Sequence, residues 1–435
     1  MHYRCLARKL SFLVFAIASS LPLATALAQV SNTSKAVSTP VDRRLPSDLR
    51  VTGMEYKGFV YKPSIEVEAG FNTNILTEKD NKKSDYIISM RPQLEIEKKY
   101  DAHIFSLKAR GDIRRYMTRT DENREDFYIG GGALIEANSR WSFPFSIERL
   151  REQRPRSSPT PTGLTRKPLS VDRFKTKAGA TRSFNRFSLS FEAEYEDVDF
   201  QNGPLEDSND IAVFKDNNRE AVNGRLILSY NVPRGTEEDE VEHKLFAEMV
   251  YGFQDYDNRA FSDGIYSGPS GDRDIAGLIT GFETKYKGLL FARLGAGFIH
   301  QNFDDAALDS TLDFDFLADI EYLIAPKLSL FLVGERNIDQ DNGFISGITR
   351  SRFQTGANAE LLHNFYLTAE AEYEHFDFKN VDRKDEDYTG RLRLRYLNSR
   401  NITSEFDVGY TQRESSITSN EFDQLIFLLR LRGQL

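Results

Sequence analysis

Charged side chains recur at every second position in several stretches, and this spacing limits the chemistry they could do. Because successive residues of a β-strand point to opposite faces, charges two positions apart share one face. If strands that follow one another in the chain are neighbours, these runs form opposite-charge ladders. Such ladders could stiffen the β-sheet that carries them. Alternatively, their unpaired charges could bind a charged polymer along its path. The runs are Arg173, Lys175 and Lys177 before Glu192, Glu194 and Glu196, and Glu370, Glu372 and Glu374 before Arg391, Arg393 and Arg395.

The sequence gives little support to catalysis or metal binding. Glycoside hydrolysis needs two carboxyl groups about 5 to 9.5 Å apart across one sugar, and sequence spacing alone does not establish that. No serine lies in a nucleophile-elbow context. The histidines beyond residue 30 are scattered over different predicted strands and turns, which disfavours a metal site. We therefore predict no catalytic residue, no metal, no cofactor and no enzymatic activity. Those histidines are His103, His243, His300, His363 and His375.

The elements that carry these charges are predicted to be β-strands. Apolar and polar residues alternate from Pro63 to the end of the chain, in about 18 segments. In the last segment Leu429, Leu431 and Leu435 share one face, and Arg430 and Arg432 lie on the other. An apolar edge strand of this kind would be an aggregation hazard in water. In an outer-membrane barrel the same face would meet lipid and the charged face would line the lumen.

The connections between the predicted strands alternate between short and long. Outer-membrane barrels have short periplasmic turns and long extracellular loops. We therefore predict an all-β fold, a transmembrane up-and-down antiparallel β-barrel of about 18 strands over residues 58–435, with both termini in the periplasm. A barrel of this size can enclose an aqueous channel. The connection at 233–240 is the least regular of the short ones.

The N-terminus predicts export from the cytoplasm. Arg4, Arg8 and Lys9 precede a mostly apolar stretch at 10–23, and Ala26-Leu27-Ala28 is a small-x-small cleavage pattern. We predict a signal peptide over residues 1–28 and a flexible periplasmic segment over 29–57. The single cysteine, Cys5, lies in the predicted signal peptide. No later apolar run approaches the roughly 18 residues that a spanning helix needs.

Charge and composition narrow the class of partner. The formal net charge of −9 disfavours nucleic acid. A mean hydropathy of −0.50 is compatible with a barrel, because alternation makes about half of each strand polar. Aromatic residues make up 12% of the chain, which suits the aromatic girdles of a barrel. We expect Trp141, which follows a short turn, in the periplasmic girdle.

The first strands resemble a known family. Gly58-Phe59-Val60-Tyr61-Lys62-Pro63-Ser64 leads into Gly70-Phe71-Asn72-Thr73-Asn74, and a third strand ends in Arg114-Arg115-Tyr116. These stretches resemble the putative β-barrel porin family whose members often accompany exopolysaccharide biosynthesis operons. The Gly-aromatic-x-x-Asn pattern at Gly70 to Asn74 is the sharpest match. Asn72 and Asn74 fall on the polar face, where they either serve the family function or simply face a wet lumen.

The resemblance implies a Gram-negative outer-membrane barrel that exports or assembles exopolysaccharide. The implied partners are outer-membrane lipid, exopolysaccharide and periplasmic export components. Three alternatives remain: a general diffusion porin for small solutes, a non-conducting structural partner of a secretion complex, and an outer-membrane enzyme.

Closure of the barrel would pair the last strand with the first. Glu66 and Glu68 would then meet Arg430 and Arg432 in an ion-paired seam inside the lumen. Ile426 and Leu428 lie on the same lumenal face, nearer the long loops. They indicate that something apolar, such as an inward-folded loop, packs against the wall there.

A run of acidic residues stands apart from these ladders. Asp313, Asp315, Asp319 and Glu321 share one predicted face without an obvious basic neighbour. Such a run would oppose an anionic substrate locally.

Overall fold

The strands observed in the structure form one continuous wall. The computed structural model describes residues 47–159, 165–204, 211–212, 214–233, 241–258, 261–262, 265–266, 268–339, 347–379 and 381–435. Within these residues lie eighteen long strands: β1 Phe59–Asn72, β2 Asp85–Tyr100, β3 His103–Tyr116, β4 Arg124–Asn138, β5 Trp141–Gln153, β6 Ser170–Ser183, β7 Phe187–Phe200, β8 Arg219–Asn231, β9 Val241–Tyr256, β10 Arg273–Tyr286, β11 Leu290–Phe303, β12 Thr311–Ala325, β13 Leu328–Asp339, β14 Ile348–Leu362, β15 Phe365–Phe378, β16 Lys384–Leu397, β17 Ile402–Ser415 and β18 Phe422–Gln434.

These strands close into a barrel. Each pairs antiparallel with the strands before and after it in the chain, and β1 pairs antiparallel with β18. The seam runs from the pair Ser64 and Gln434 to the pair Asn72 and Ile426. Closure gives every long strand two neighbours, so the wall has no free edge. The predicted fold class and strand number are confirmed.

The two ends of the barrel differ in their connections. Turns such as 101–102, 139–140 and 326–327 lie at one end, which we call the short-turn end. Connections such as 73–84, 117–123 and 304–310 lie at the other, which we call the long-loop end. This alternation agrees with the prediction. Residues 234–240, in the least regular predicted turn, lie outside the described residues.

Two further short hairpins, Gly203–Pro204 with Ile211–Ala212 and Phe261–Ser262 with Ile265–Tyr266, lie within long connections.

The turn between β10 and β11 depends on backbone geometry. Lys287 and Gly288 have φ angles of +48° and +66°, and the Leu289 N–H donates to the Tyr286 carbonyl at 2.8 Å. Two central residues with positive φ give a turn whose twist matches that of the flanking strands. Glycine adopts this conformation at little cost.

The outer face of the wall is apolar. Leu429 and Leu431 are 59% and 53% exposed, whereas the Arg430 side chain between them is 18% exposed and points inward. The same division holds on β1, where Ile65 and Val67 are each 46% exposed. An apolar band of this extent needs lipid around it. Among the described residues, no helix has the length and apolar character needed to cross a membrane.

The described part of the N-terminal segment contacts the barrel. The predicted signal peptide and residues 29–46 lie outside the described residues. A 3₁₀ turn covers Ser47–Leu49, and the strand Met54–Tyr56 pairs with the start of β1. Leu49 packs against Tyr366, which is 2% exposed, and Leu397. The segment therefore reaches from β1 to the inner face of β15 and β16 at the short-turn end.

Candidate functional site

Charged residues meet in a network at the seam, which we call the seam network: Glu66, Glu68, Arg91, Glu405 and Arg430. Glu68 is 2% exposed and accepts hydrogen bonds from Arg91 at 2.9 Å and from Arg430 at 2.7 Å. Arg91 also donates to Glu66 at 2.7 Å. Arg430 also donates to Glu405 at 2.5 Å. Buried charge is tolerated only when it is paired and hydrogen-bonded in this way.

The fourth residue predicted for the seam bonds differently. Arg432 lies opposite Glu66 in register, but its Nη2 donates to the Ser64 hydroxyl at 3.3 Å. Glu66 pairs instead with Arg91.

Beyond Glu405 the charges continue along β16 and β15, with pairings that differ from the prediction. Arg391 meets Glu370 at 3.2 Å, as expected. Arg393 and Arg395, however, pair with Glu405 on β17 at 3.3 and 3.2 Å.

The two remaining glutamates of the predicted ladder pair with β14. Glu372 meets Arg352 at 2.5 Å, and Glu374 meets Arg350. The ladder expected between β15 and β16 is therefore wrong except at its Glu370–Arg391 pair. The register explains why, because it places Glu372 opposite Thr389 and Glu374 opposite Asp387.

The other predicted ladder forms between β6 and β7. Lys177 meets Glu194 at 2.6 Å, Lys175 meets Glu196 at 3.0 Å, and Arg173 approaches Glu196 at 3.4 Å. Glu192 lies opposite Gly179 in the register and has no cation opposite it on β6. These side chains line the inner face.

The acidic run on β12 has cationic neighbours. Asp313 lies 3.5 Å from Arg336 on β13 and 3.4 Å from Lys379 in the connection after β15. Asp319 lies opposite Arg293 in the register of β11 and β12. The expectation that this run lacks basic partners is wrong, because a neighbouring strand and a distant connection supply them.

Asn72 and Asn74 are buried and do not face water in the lumen. Asn74 is fully buried, and its side chain donates to the carbonyls of Glu78 at 2.7 Å and Asp423 at 2.9 Å. Asn72 accepts from the Asn74 N–H at 2.8 Å and donates to Gln424 at 3.3 Å. The two asparagines hold the first long connection against β18, which is a structural role.

The chain directly after β5 points into the barrel at Arg154–Ser157, and we call these four residues the inward segment. Arg156 pairs with Glu122 at 2.6 Å, and both side chains are 6% exposed. Thr77 donates to the Arg156 carbonyl at 3.1 Å, and Arg413 on β17 donates to the Ser157 carbonyl at 2.9 Å. Three separate parts of the long-loop end therefore hold this segment in place.

A cavity of about 180 Å³ lies between the inward segment and the wall. Ile426 and Leu428 line it together with Ile75 and Ile87, so the two lumenal apolar residues of β18 lie beside an inward-folded connection, as expected. Its lining also includes the six arginines Arg91, Arg114, Arg124, Arg154, Arg156 and Arg430, and the two glutamates Glu68 and Glu122.

Sequence reasoning missed several members of this site. Arg91 and Glu405 belong to the seam network, Asp112 accepts from Arg91 at 2.9 Å, and Asp407 accepts from Arg393 at 3.1 Å. All four lie on polar positions of the predicted strands. Strand parity could have placed them in the lumen, but only the register shows which of them meet. In the described part of the chain, no group of three His, Cys, Asp or Glu side chains is placed to hold a metal ion.

The sequence matches a known protein family. Residues 49–435 match the sequence model of the family described as putative beta-barrel porin 2. No curated protein matches the chain.

Several solved structures are similar to this fold at low sequence identity. OccK1 (OpdK) from Pseudomonas aeruginosa has a TM-score of 0.46 at 9% identity, over 86% of this chain and 99% of that one. A ferric enterobactin receptor (PfeA) mutant from the same species has a TM-score of 0.45 at 8% identity, over 86% and 80%. The ferric citrate transporter FecA has a TM-score of 0.45 at 13% identity, over 81% of this chain, which spans 60% of that protein.

Proposed function

This chain belongs to the putative beta-barrel porin 2 family, and from that premise we propose that its cargo is exopolysaccharide. It is an outer-membrane, porin-like β-barrel channel. We propose that the polymer passes through the lumen outward from the periplasm. Periplasmic export components would deliver the polymer to the short-turn end.

The observation that supports this cargo is the ion-paired inner wall. Cations and anions alternate over β14 to β18 and β1 to β2, and again over β6 and β7. Charged groups held in pairs still offer donors and acceptors to sugar hydroxyls, and each contact is weak. Conduction requires sites that bind well enough for entry and weakly enough for release. A wall with many weak polar sites suits a long hydrophilic chain.

One observation favours a second candidate, a diffusion porin for small solutes. The inward segment crosses part of the lumen at the long-loop end and is held by Glu122, Thr77 and Arg413. A fixed constriction passes small solutes more readily than a polymer. If this candidate is correct, the channel should pass short sugars and exclude all sugars above a small size limit.

Deletion of the gene tests the cargo. We expect loss of surface exopolysaccharide, with the polymer retained in the periplasm, and rescue by the wild-type chain. Normal export in the deletion strain would contradict the proposal.

Purified protein in planar bilayers tests the channel separately. We expect ion conductance that added oligosaccharide reduces. A barrel without conductance would instead favour the non-conducting structural partner of a secretion complex. Turnover of a lipid or glycan substrate by the purified protein would overturn the prediction that it is not an enzyme.

A further inference from the structure

Two arginines face each other across neighbouring strands beside the cavity. Arg114 on β3 lies directly opposite Arg124 on β4, and both line the cavity. Arg115, the next residue, is on the opposite face, where it pairs with Glu125. Like charges directly opposite each other destabilise a sheet. An arrangement of this kind needs a compensating anion nearby.

The acidic side chains around Arg114 and Arg124 neutralise their positive charges only in part. Arg114 Nη2 is 3.7 Å from Asp112 Oδ2, and that oxygen already accepts from Arg91 Nε at 2.9 Å. Asp126 lies opposite Asp112, and its Oδ1 accepts from the Gln153 N–H at 2.8 Å.

The guanidinium groups of Arg114 and Arg124 have N–H donors that can bind a further acceptor. Arg114 Nε is buried and has no hydrogen-bond partner within the described residues. Arg124 Nη1 donates to the Gln153 carbonyl at 3.2 Å. A guanidinium carries five N–H donors, so both groups can bind a further acceptor.

The rest of the cavity lining includes four arginines and two glutamates, and both glutamates are bound in ion pairs. Glu68 is held by Arg91 and Arg430, and Glu122 is held by Arg156. Arg91 and Arg430 have further carboxylate partners in Glu66 and Glu405, so the incompletely compensated charge is that of the facing arginines Arg114 and Arg124. The inward segment forms one side of the cavity, and electrostatic contacts in a partly enclosed site are stronger than those in bulk water.

We propose that Arg114 and Arg124 form a binding site for an oxyanion, a carboxylate or phosphate group carried by the cargo. Arginine binds such groups through two parallel N–H donors, which two facing guanidinium groups can supply from both sides. The inference deepens the proposed function, because a cargo that uses this site must be an acidic polymer or solute. Neutral sugars have no group that would neutralise the pair.

Binding to the detergent-solubilised full chain tests the site without requiring transport. The probes are sodium glucuronate, inorganic phosphate and neutral glucose, at constant ionic strength, and the readout is the thermal unfolding midpoint. A ligand that binds only the folded state raises this midpoint as its concentration passes its dissociation constant. We expect glucuronate, phosphate or both to raise it saturably, and glucose to leave it unchanged.

Three variants test whether Arg114 and Arg124 are responsible for the stabilisation by the anionic probes. Arg114→Gln combined with Arg124→Gln should raise the apparent dissociation constant about tenfold or more, because it removes both bidentate donors. Arg115→Gln removes the same kind of charge from the outer face and should bind as the wild type does. Arg114→Lys combined with Arg124→Lys keeps both positive charges, so it remains informative if the glutamine variant does not fold. We expect this lysine variant to bind the probes more weakly than the wild type, because lysine lacks the bidentate donors.

The outcomes separate this inference from the proposed cargo. Equal binding by the wild type and the glutamine variant, or stabilisation by glucose as well, would overturn the oxyanion site. A response to glucuronate alone would assign it to carboxylates, and a response to phosphate alone to phosphates. If the deletion strain exports polymer normally while the wild-type protein still binds through the pair, the cargo proposal fails and the site stands.

Discussion

Glu68 illustrates how the lumen wall holds buried charge. The side chain is 2% exposed, and two arginines from opposite sides of the seam converge on it. Removing one partner of a buried pair costs more than the pair contributes, since the remaining charge stays buried. Arg91 and Arg430 each keep another carboxylate partner, which limits the loss.

We expect Glu68→Ala to lower the free energy of unfolding by about 3 kcal/mol, near the lower limit for a broken buried ion pair. Urea titration of the protein in lipid vesicles, followed by the fluorescence of Trp141, measures it; this is the only tryptophan in the chain. Glu95→Ala is the matched control. Glu95 meets Lys108 at 2.8 Å with both side chains more than a third exposed, so its loss should cost about 0 to 1 kcal/mol. Equal costs at the two positions would contradict the buried role of Glu68.

The outer face gives a second prediction at the residue scale. Leu429→Arg places a cation against lipid and should cost about 2–4 kcal/mol if the position lies near the midplane of the bilayer. Tyr100→Arg, on an exposed residue at the short-turn end, should cost about 0 to 1 kcal/mol. The same urea titration compares them. A larger cost at Tyr100 would mean that the apolar band is centred elsewhere.

At the scale of strands and loops, sequence periodicity determines the face of a residue but not its partner. A shift of two residues in strand register leaves every side chain on its original face and changes every pair. The alternation therefore predicts the correct face for Glu372 and Glu374, whereas their cationic partners lie on β14 instead of β16.

The position of the inward segment is harder still to predict from the sequence. Ile426 and Leu428 indicated that something packs against β18, but the segment that does so lies more than 250 positions earlier in the chain. Its position depends on tertiary contacts with Glu122, Thr77 and Arg413, which no local sequence pattern predicts.

The ion pair of Arg156 with Glu122 predicts how the constriction behaves. Arg156→Glu removes the only ion pair described above for the inward segment and sets two carboxylates against each other. This repulsion should outweigh the two remaining hydrogen bonds from Thr77 and Arg413, so the segment should move out of the lumen and single-channel conductance should rise. Adding Glu122→Arg restores an opposite-charge pair and should return conductance toward the wild-type value. Planar bilayer recordings of the three proteins provide the measurement. Unchanged conductance in Arg156→Glu would mean that this segment does not limit the channel.

At the scale of the whole molecule, the difference between the two ends predicts its orientation in the membrane. Outer-membrane barrels place long loops outside the cell and short turns in the periplasm. The first and last strands begin and end at the short-turn end, so we predict that both termini are periplasmic. The same orientation would present the long-loop end, with its inward segment, to the cell exterior.

Cysteine labelling tests this orientation, because the only native cysteine, Cys5, lies in the predicted signal peptide. Asp80→Cys places a thiol on an exposed residue of the first long connection, and Asn364→Cys places one in a short turn. A membrane-impermeant maleimide should label Asp80→Cys in intact cells and label Asn364→Cys only after the outer membrane is permeabilised. The wild-type chain is the control for background labelling. The reverse pattern would place the termini outside the cell, and a polymer exported outward would then enter at the end that carries the inward segment.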